Sequence, residues 1–150
     1  MHSVVLRFIP VITLLLIASC SSSAQEADVT NIKPGELAEF LEGNDAVIID
    51  VRTPGEWEGG KVESALTINL NHPQFNQAIS ELDKEKTYLV YCNSGNRSSI
   101  ASRRMVQMGF TSIFNYDGMH YEIRQEYEKL NPTGKYVNEK LNPTGNVVNE

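Results

Sequence analysis

The sequence predicts an α/β fold built on a mostly parallel sheet, and two observations carry that expectation. Short apolar runs alternate with stretches of helical spacing from residue 29 to about residue 130, the order expected of successive β-α units. Each helical stretch also has a start or stop signal of its own. In chain order, a weak first strand is read near Val29 to Ile32, and Pro34 then marks a helix start ahead of Leu37, Phe40 and Leu41, which share one face. Ala46 to Asp50 is an apolar run ending in a carboxylate, and Thr67 to Leu70 is a shorter one. After Pro73 the three-and-four spacing returns at Phe75, Ile79 and Leu82. Tyr88 to Tyr91 reads as a buried strand, and Ile100 to Met108 as a helix with Ala101, Met105 and Met108 inward, Arg103 and Gln107 outward, and Gly109 as its stop. The methionine stripe is read as core packing. Ser112 to Tyr116 closes the set of strands.

Both ends of the chain read differently from this body. Residues 1 to 19 place one Arg before an apolar run that is broken by Pro10 and ends in small residues, the pattern of an export signal and too short for a spanning helix. Ile17-Ala18-Ser19-Cys20 resembles a bacterial lipobox, so Cys20 is read as the lipidated first residue of a mature envelope protein, periplasmic or otherwise membrane-anchored. Residues 20–28 would be a tether, because they offer little apolar surface to bury. The folded domain is expected over 29–128. Residues 129–150 form a tail in which Glu128 to Glu139 is repeated from Glu139 to Glu150 with two mismatches. Two copies of a short unit with a Pro-Thr-Gly turn are too few for a solenoid, and the tail is read as a mobile duplication.

The segment with chemistry is Cys92-Asn93-Ser94-Gly95-Asn96-Arg97-Ser98. It follows a buried strand and precedes a helix, and ligands bind at the carboxyl ends of the strands in open α/β sheets. A cysteine there meets inward-pointing backbone N–H groups and the positive end of a helix dipole, and both favour thiolate over thiol. Arg97 is expected to add a full positive charge, Gly95 to let the loop turn and a substrate approach, and Ser98 to cap the helix or donate to the sulfur. The competing reading is an inert buried cysteine before an ordinary turn. The coincidence of Cys, Gly and Arg at one strand-to-helix junction favours a nucleophile.

Cys-x-x-Gly-x-Arg-Ser after an apolar strand, together with Val47-Ile-Ile-Asp50-Val-Arg52-Thr-Pro-Gly-Glu56-Trp57 and Gly60-Lys-Val-x-x-Ala65-x-x-Ile68-Asn69, resembles the single-domain rhodanese family. The resemblance implies a rhodanese-like five-stranded sheet with helices on both faces, and a sulfurtransferase. In this reading Cys92 accepts a sulfane sulfur from thiosulfate, polysulfide or a persulfide. It then passes that sulfur from its own persulfide to a thiol or cyanide acceptor. Asn93, Ser94, Gly95, Asn96 and Arg97 correspond to the loop around the persulfide, with Asp50, Arg52 and Ser98 as supporting residues. A carboxylate ending a buried strand needs a partner in any case, so Asp50 is read as structural. The chain departs from the family pattern at Lys61-Val62, and again at Asp117-Gly118-Met119 and Tyr121. There Tyr121, Ile123 and Tyr127 are expected to supply the apolar face of the last helix.

Other functions are weaker on the residues. Cysteine phosphatases space Cys and Arg by five residues, whereas Cys92 and Arg97 are separated by four, and no Asp is expected beside the loop as general acid. A rhodanese-like binding or persulfide-carrier module without turnover is the main alternative. The net charge of −6, without a basic run, excludes an electrostatic nucleic-acid partner. His72 and His120 are isolated, and no metal or cofactor is expected. His120 is read as a surface or satisfied residue, or as one lining the pocket mouth.

Overall fold

A computed structural model describes residues 28–133. Cys20, the export signal, most of the tether and the greater part of the tandem repeat lie outside the described residues. Ten elements alternate: β1 (Thr30–Ile32), α1 (Leu37–Gly43), β2 (Ala46–Asp50), α2 (Pro54–Glu58), β3 (Leu66–Thr67), α3 (Phe75–Ser80), β4 (Thr87–Tyr91), α4 (Asn96–Gln107), β5 (Ser112–Tyr116) and α5 (His120–Leu130). The five strands form one sheet in the order β1-β5-β4-β2-β3. All four pairings are parallel, with Asp50 opposite Tyr91 and Ile49 opposite Leu66.

The period-two alternation of the strands divides the interior into two layers. Val47, Ile49, Tyr88, Val90 and Ile113 face α3 and α4, where they meet Phe75, Ile79, Ala101 and Met105. Ile48, Leu89, Tyr91 and Tyr116 face the other way, onto Leu37, Phe40, Ile123 and Tyr127 of α1 and α5. Helices therefore cover both faces. Met105 is fully buried and Met108 packs against its edge, so the methionine stripe is core.

Three boundaries differ from the sequence expectation by more than one residue, each for a local reason. Pro34 does not open α1. It sits with Gly35 in a turn closed by the Glu36 N–H on the Lys33 carbonyl at 3.0 Å, and Gly35 takes φ +93° there. β3 ends at Thr67 because Asn69 folds its side-chain oxygen onto the Asn71 N–H at 2.9 Å. Ile68 and Leu70 nevertheless remain buried. α4 begins at Asn96, four residues before Ile100: the polar residues that hide the apolar periodicity are its first turn. In α5, Ile123 and Tyr127 are buried as expected, whereas Tyr121 is 49% exposed and supplies no packing.

Candidate active site

The alternation of β4 continues one residue past the strand, so Cys92 falls on the α4 side with Tyr88 and Val90 and is only 2% exposed. The loop then turns at Gly95, whose φ of +81° favours glycine, and α4 starts immediately. As a result, the backbone N–H groups of Ser94, Arg97 and Ser98 converge on the sulfur. The Ser98 hydroxyl lies 3.5 Å from Cys92 Sγ and 3.0 Å from the Gly95 carbonyl oxygen. Burial pushes the thiol up, but the Ser98 hydroxyl and the three N–H groups outweigh it and hold Cys92 below its ordinary value. The sulfur is thus a buried, activated thiol.

Ser98 is not the cap. The N-cap is Gly95, and Ser98 sits one turn inside, with its hydroxyl shared between the Gly95 carbonyl and the sulfur. Asn93, Ser94 and Asn96 are exposed at the rim of the loop. The expectation that no aspartate stands beside the loop is also corrected. A Cβ on Gly95 would come within 3.0 Å of Asp117 Oδ1, because β5 ends next to β4 and delivers Asp117 there.

The charge of Arg97 is paired, where the sequence leads one to expect a free cation beside the sulfur. Its Nη1 donates to Glu56 Oε2 at 2.7 Å and its Nη2 to Glu56 Oε1 at 2.6 Å, a two-pronged ion pair between half-buried side chains. The same guanidinium also reaches the Cys92 sulfur, with less weight than it gives Glu56. Arg97 drives the Glu56 carboxyl down to about 2, despite opposing burial and with help from Thr53. Glu56 is the site residue to which the sequence reading assigned no role. The available signal was Thr53-Pro-Gly-Glu56, a capping box: Thr53 N and Oγ donate to Glu56 Oε2 at 3.0 and 2.8 Å. The cap fixes Glu56 on α2, and α2, which follows β2, places it against Arg97 in the first turn of α4, after the neighbouring strand β4.

Asp50 and Arg52 meet on the other side of the sheet. Arg52 Nη2 lies 2.7 Å from Asp50 Oδ2, with side chains 2% and 0% exposed. Asp50 also accepts from the Arg52 N–H at 3.0 Å and from the Tyr91 hydroxyl at 2.6 Å. Arg52 Nη2 donates onward to the Gly60 carbonyl at 2.8 Å, and the Val62 N–H donates to the Tyr91 oxygen at 3.1 Å. Tyr91 points into the α1–α5 layer, away from the Cys92 side. The pair ties the segment after α2 to the sheet. His120 opens α5 next to it, half-buried, and its backbone N–H donates to the Asn93 carbonyl at 3.0 Å. Burial, then Arg52 and Arg124, hold its imidazole below the usual range.

The pattern of the rhodanese-like domain matches residues 33–126. This chain belongs to the rhodanese-like domain family. It is 32% identical over 85 residues to a thiosulfate sulfurtransferase GlpE of Pseudomonas syringae, covering 57% of this chain and 78% of that protein. Over 114 residues it is 32% identical to a tRNA uridine(34) hydroxylase of Cytophaga hutchinsonii, covering 69% of this chain but 36% of that one. The chain thus spans little more than a third of that longer relative. Among solved structures, a rhodanese-related protein from Thermoplasma volcanium superposes with a TM-score of 0.54 at 26% identity, covering 65% of this chain and 94% of that one.

Proposed function

We propose that the domain is a sulfurtransferase that carries a sulfane sulfur as a persulfide on Cys92. The observation that carries this reading is the buried thiol held below its ordinary value by Ser98 and three backbone N–H groups. Those donors stabilise a thiolate before transfer and a persulfide anion after it. In the first step the Cys92 thiolate attacks the outer sulfur of the donor. The donor S–S bond breaks, and its electron pair leaves with the carrier, as sulfite from thiosulfate or as a thiolate from an organic persulfide. In the second step an acceptor nucleophile takes the outer sulfur and returns the electron pair to Cys92. With cyanide the product is thiocyanate. The likeness to GlpE, of which this chain spans 78%, supports the same reading. Asn93 to Arg97 would line the donor, whereas Asp50 and Arg52 would act on the fold.

The test is a mass spectrum of the protein before and after thiosulfate or polysulfide, with Cys92→Ser beside it and thiocyanate measured on adding cyanide. A gain of about 32 Da, one sulfur atom, on the wild type alone and thiocyanate release establish transfer. An adduct without thiocyanate leaves a persulfide carrier, and no adduct from either donor removes the reading. The apolar run ending at Ile17-Ala18-Ser19-Cys20 supports a lipid-anchored envelope location. The mass of the mature N-terminal peptide would check it, since a lipidated Cys20 starts that peptide.

A further inference from the structure

The charges around Cys92 do not favour an anion as doubly charged as thiosulfate. Among residues 92–98 the only charged side chain is Arg97, and both of its Nη atoms are committed to Glu56 at 2.6 and 2.7 Å. Asp117 presents a second carboxylate at Gly95. The one guanidinium of the loop therefore serves both Glu56 and the thiolate, with a further carboxylate beside the loop. A sulfonate at the Nη1/Nη2 edge of Arg97 would compete with Glu56 for it, and Glu56 stays ionised, being held at about 2.

Resting on the sulfurtransferase reading, we propose that Glu56 is a specificity-determining residue. By pairing with Arg97 it offsets the positive charge of the loop and turns the site toward sulfane donors of lower charge than a dianion. The donor meets a ring of neutral backbone N–H groups and a guanidinium already paired with a carboxylate, which suits a monoanionic thiosulfonate or the sulfane end of an organic persulfide. The chemistry at Cys92 is unchanged: the same S–S bond breaks, with sulfinate leaving from a thiosulfonate where sulfite leaves from thiosulfate.

Thiosulfate and methanethiosulfonate make the comparison, because they are close in shape and differ by one charge. The full chain and its Glu56→Gln variant are assayed for kcat/KM with each donor, using cyanide as acceptor. Gln serves in a capping box as Glu does, so α2 keeps its N-terminus while Arg97 is released. The expected result is a wild type that prefers methanethiosulfonate, and a variant in which the thiosulfate to methanethiosulfonate ratio rises about fivefold. Thr53→Ala, which weakens the cap and leaves the carboxylate on Arg97, is expected to keep the wild-type ratio. A wild type that prefers thiosulfate, a ratio unmoved by Glu56→Gln, or an equal shift in Thr53→Ala each overturns the assignment while the sulfurtransferase reading stands. Turnover of neither donor by the wild type overturns the assignment, and the sulfurtransferase reading then stands or falls on loading of Cys92 by polysulfide.

Discussion

At Cys92 the balance between burial and hydrogen bonding decides reactivity, and Ser98 is the part of that balance a single substitution can reach. Its hydroxyl has one proton and two acceptors, the Gly95 carbonyl at 3.0 Å and the sulfur at 3.5 Å. Ionisation of the thiol strengthens the second acceptor, so the proton turns toward sulfur as charge develops. Removing the hydroxyl leaves the burial, which pushes the thiol up, opposed by the backbone N–H groups and Arg97. Ser98→Ala should therefore raise the Cys92 pKa. Only the thiolate reacts with iodoacetamide, so the rate climbs with pH and levels off above the thiol's pKa. The wild type should level off below the ordinary thiol range, the variant at higher pH and with a rate about threefold lower at neutrality. Glu56, held at about 2, does not titrate in such a profile. Superimposable profiles would show that Ser98 bonds only to Gly95.

Elements were legible where one periodicity ran through them without interruption. Ala46–Asp50 and Ser112–Tyr116 have the bounds their apolar runs predict, because each alternation separates two packed layers. The start of α4 was hidden since Arg97 and Ser98 serve the sulfur and Asn96 is exposed, and α2 was hidden since it buries no residue. For the same reason Glu56 went unassigned: its partner lies 41 positions away, and only the fold sets β2 beside β4. The Asp50 and Arg52 pairing was legible from a buried carboxylate's need for a cation, but its place on the far face of the sheet was not. Removing Arg52 would strand that carboxylate in a dry layer. Arg52→Met is expected to lose about 3–5 kcal/mol of stability in denaturant unfolding. The variant that remains folded should alkylate at Cys92 with the wild-type pH profile. A change in that profile with little loss of stability would place Arg52 in the chemistry instead.

The whole molecule sets Cys92 just past the end of the central strand, which runs between two cores, and surrounds it with an acidic field. β4 pairs with β2 on one side and β5 on the other, so the loop is anchored by the best-supported backbone in the sheet and its donors need no reorganisation when the sulfur arrives. The chain's net charge of −6 acts against approach of anions over distances set by the screening length, about 10 Å at 0.1 M salt. Added salt shortens that reach. Loading of Cys92 by thiosulfate should accordingly speed up about two- to threefold between about 20 and 200 mM of an inert salt. Methanethiosulfonate, with one charge fewer, should speed up less. Stopped-flow loading with each donor gives both slopes. A thiosulfate rate that falls with salt would mean a local positive field steers the donor, and would contradict the offset of Arg97 by Glu56 as well as the acidic field around it.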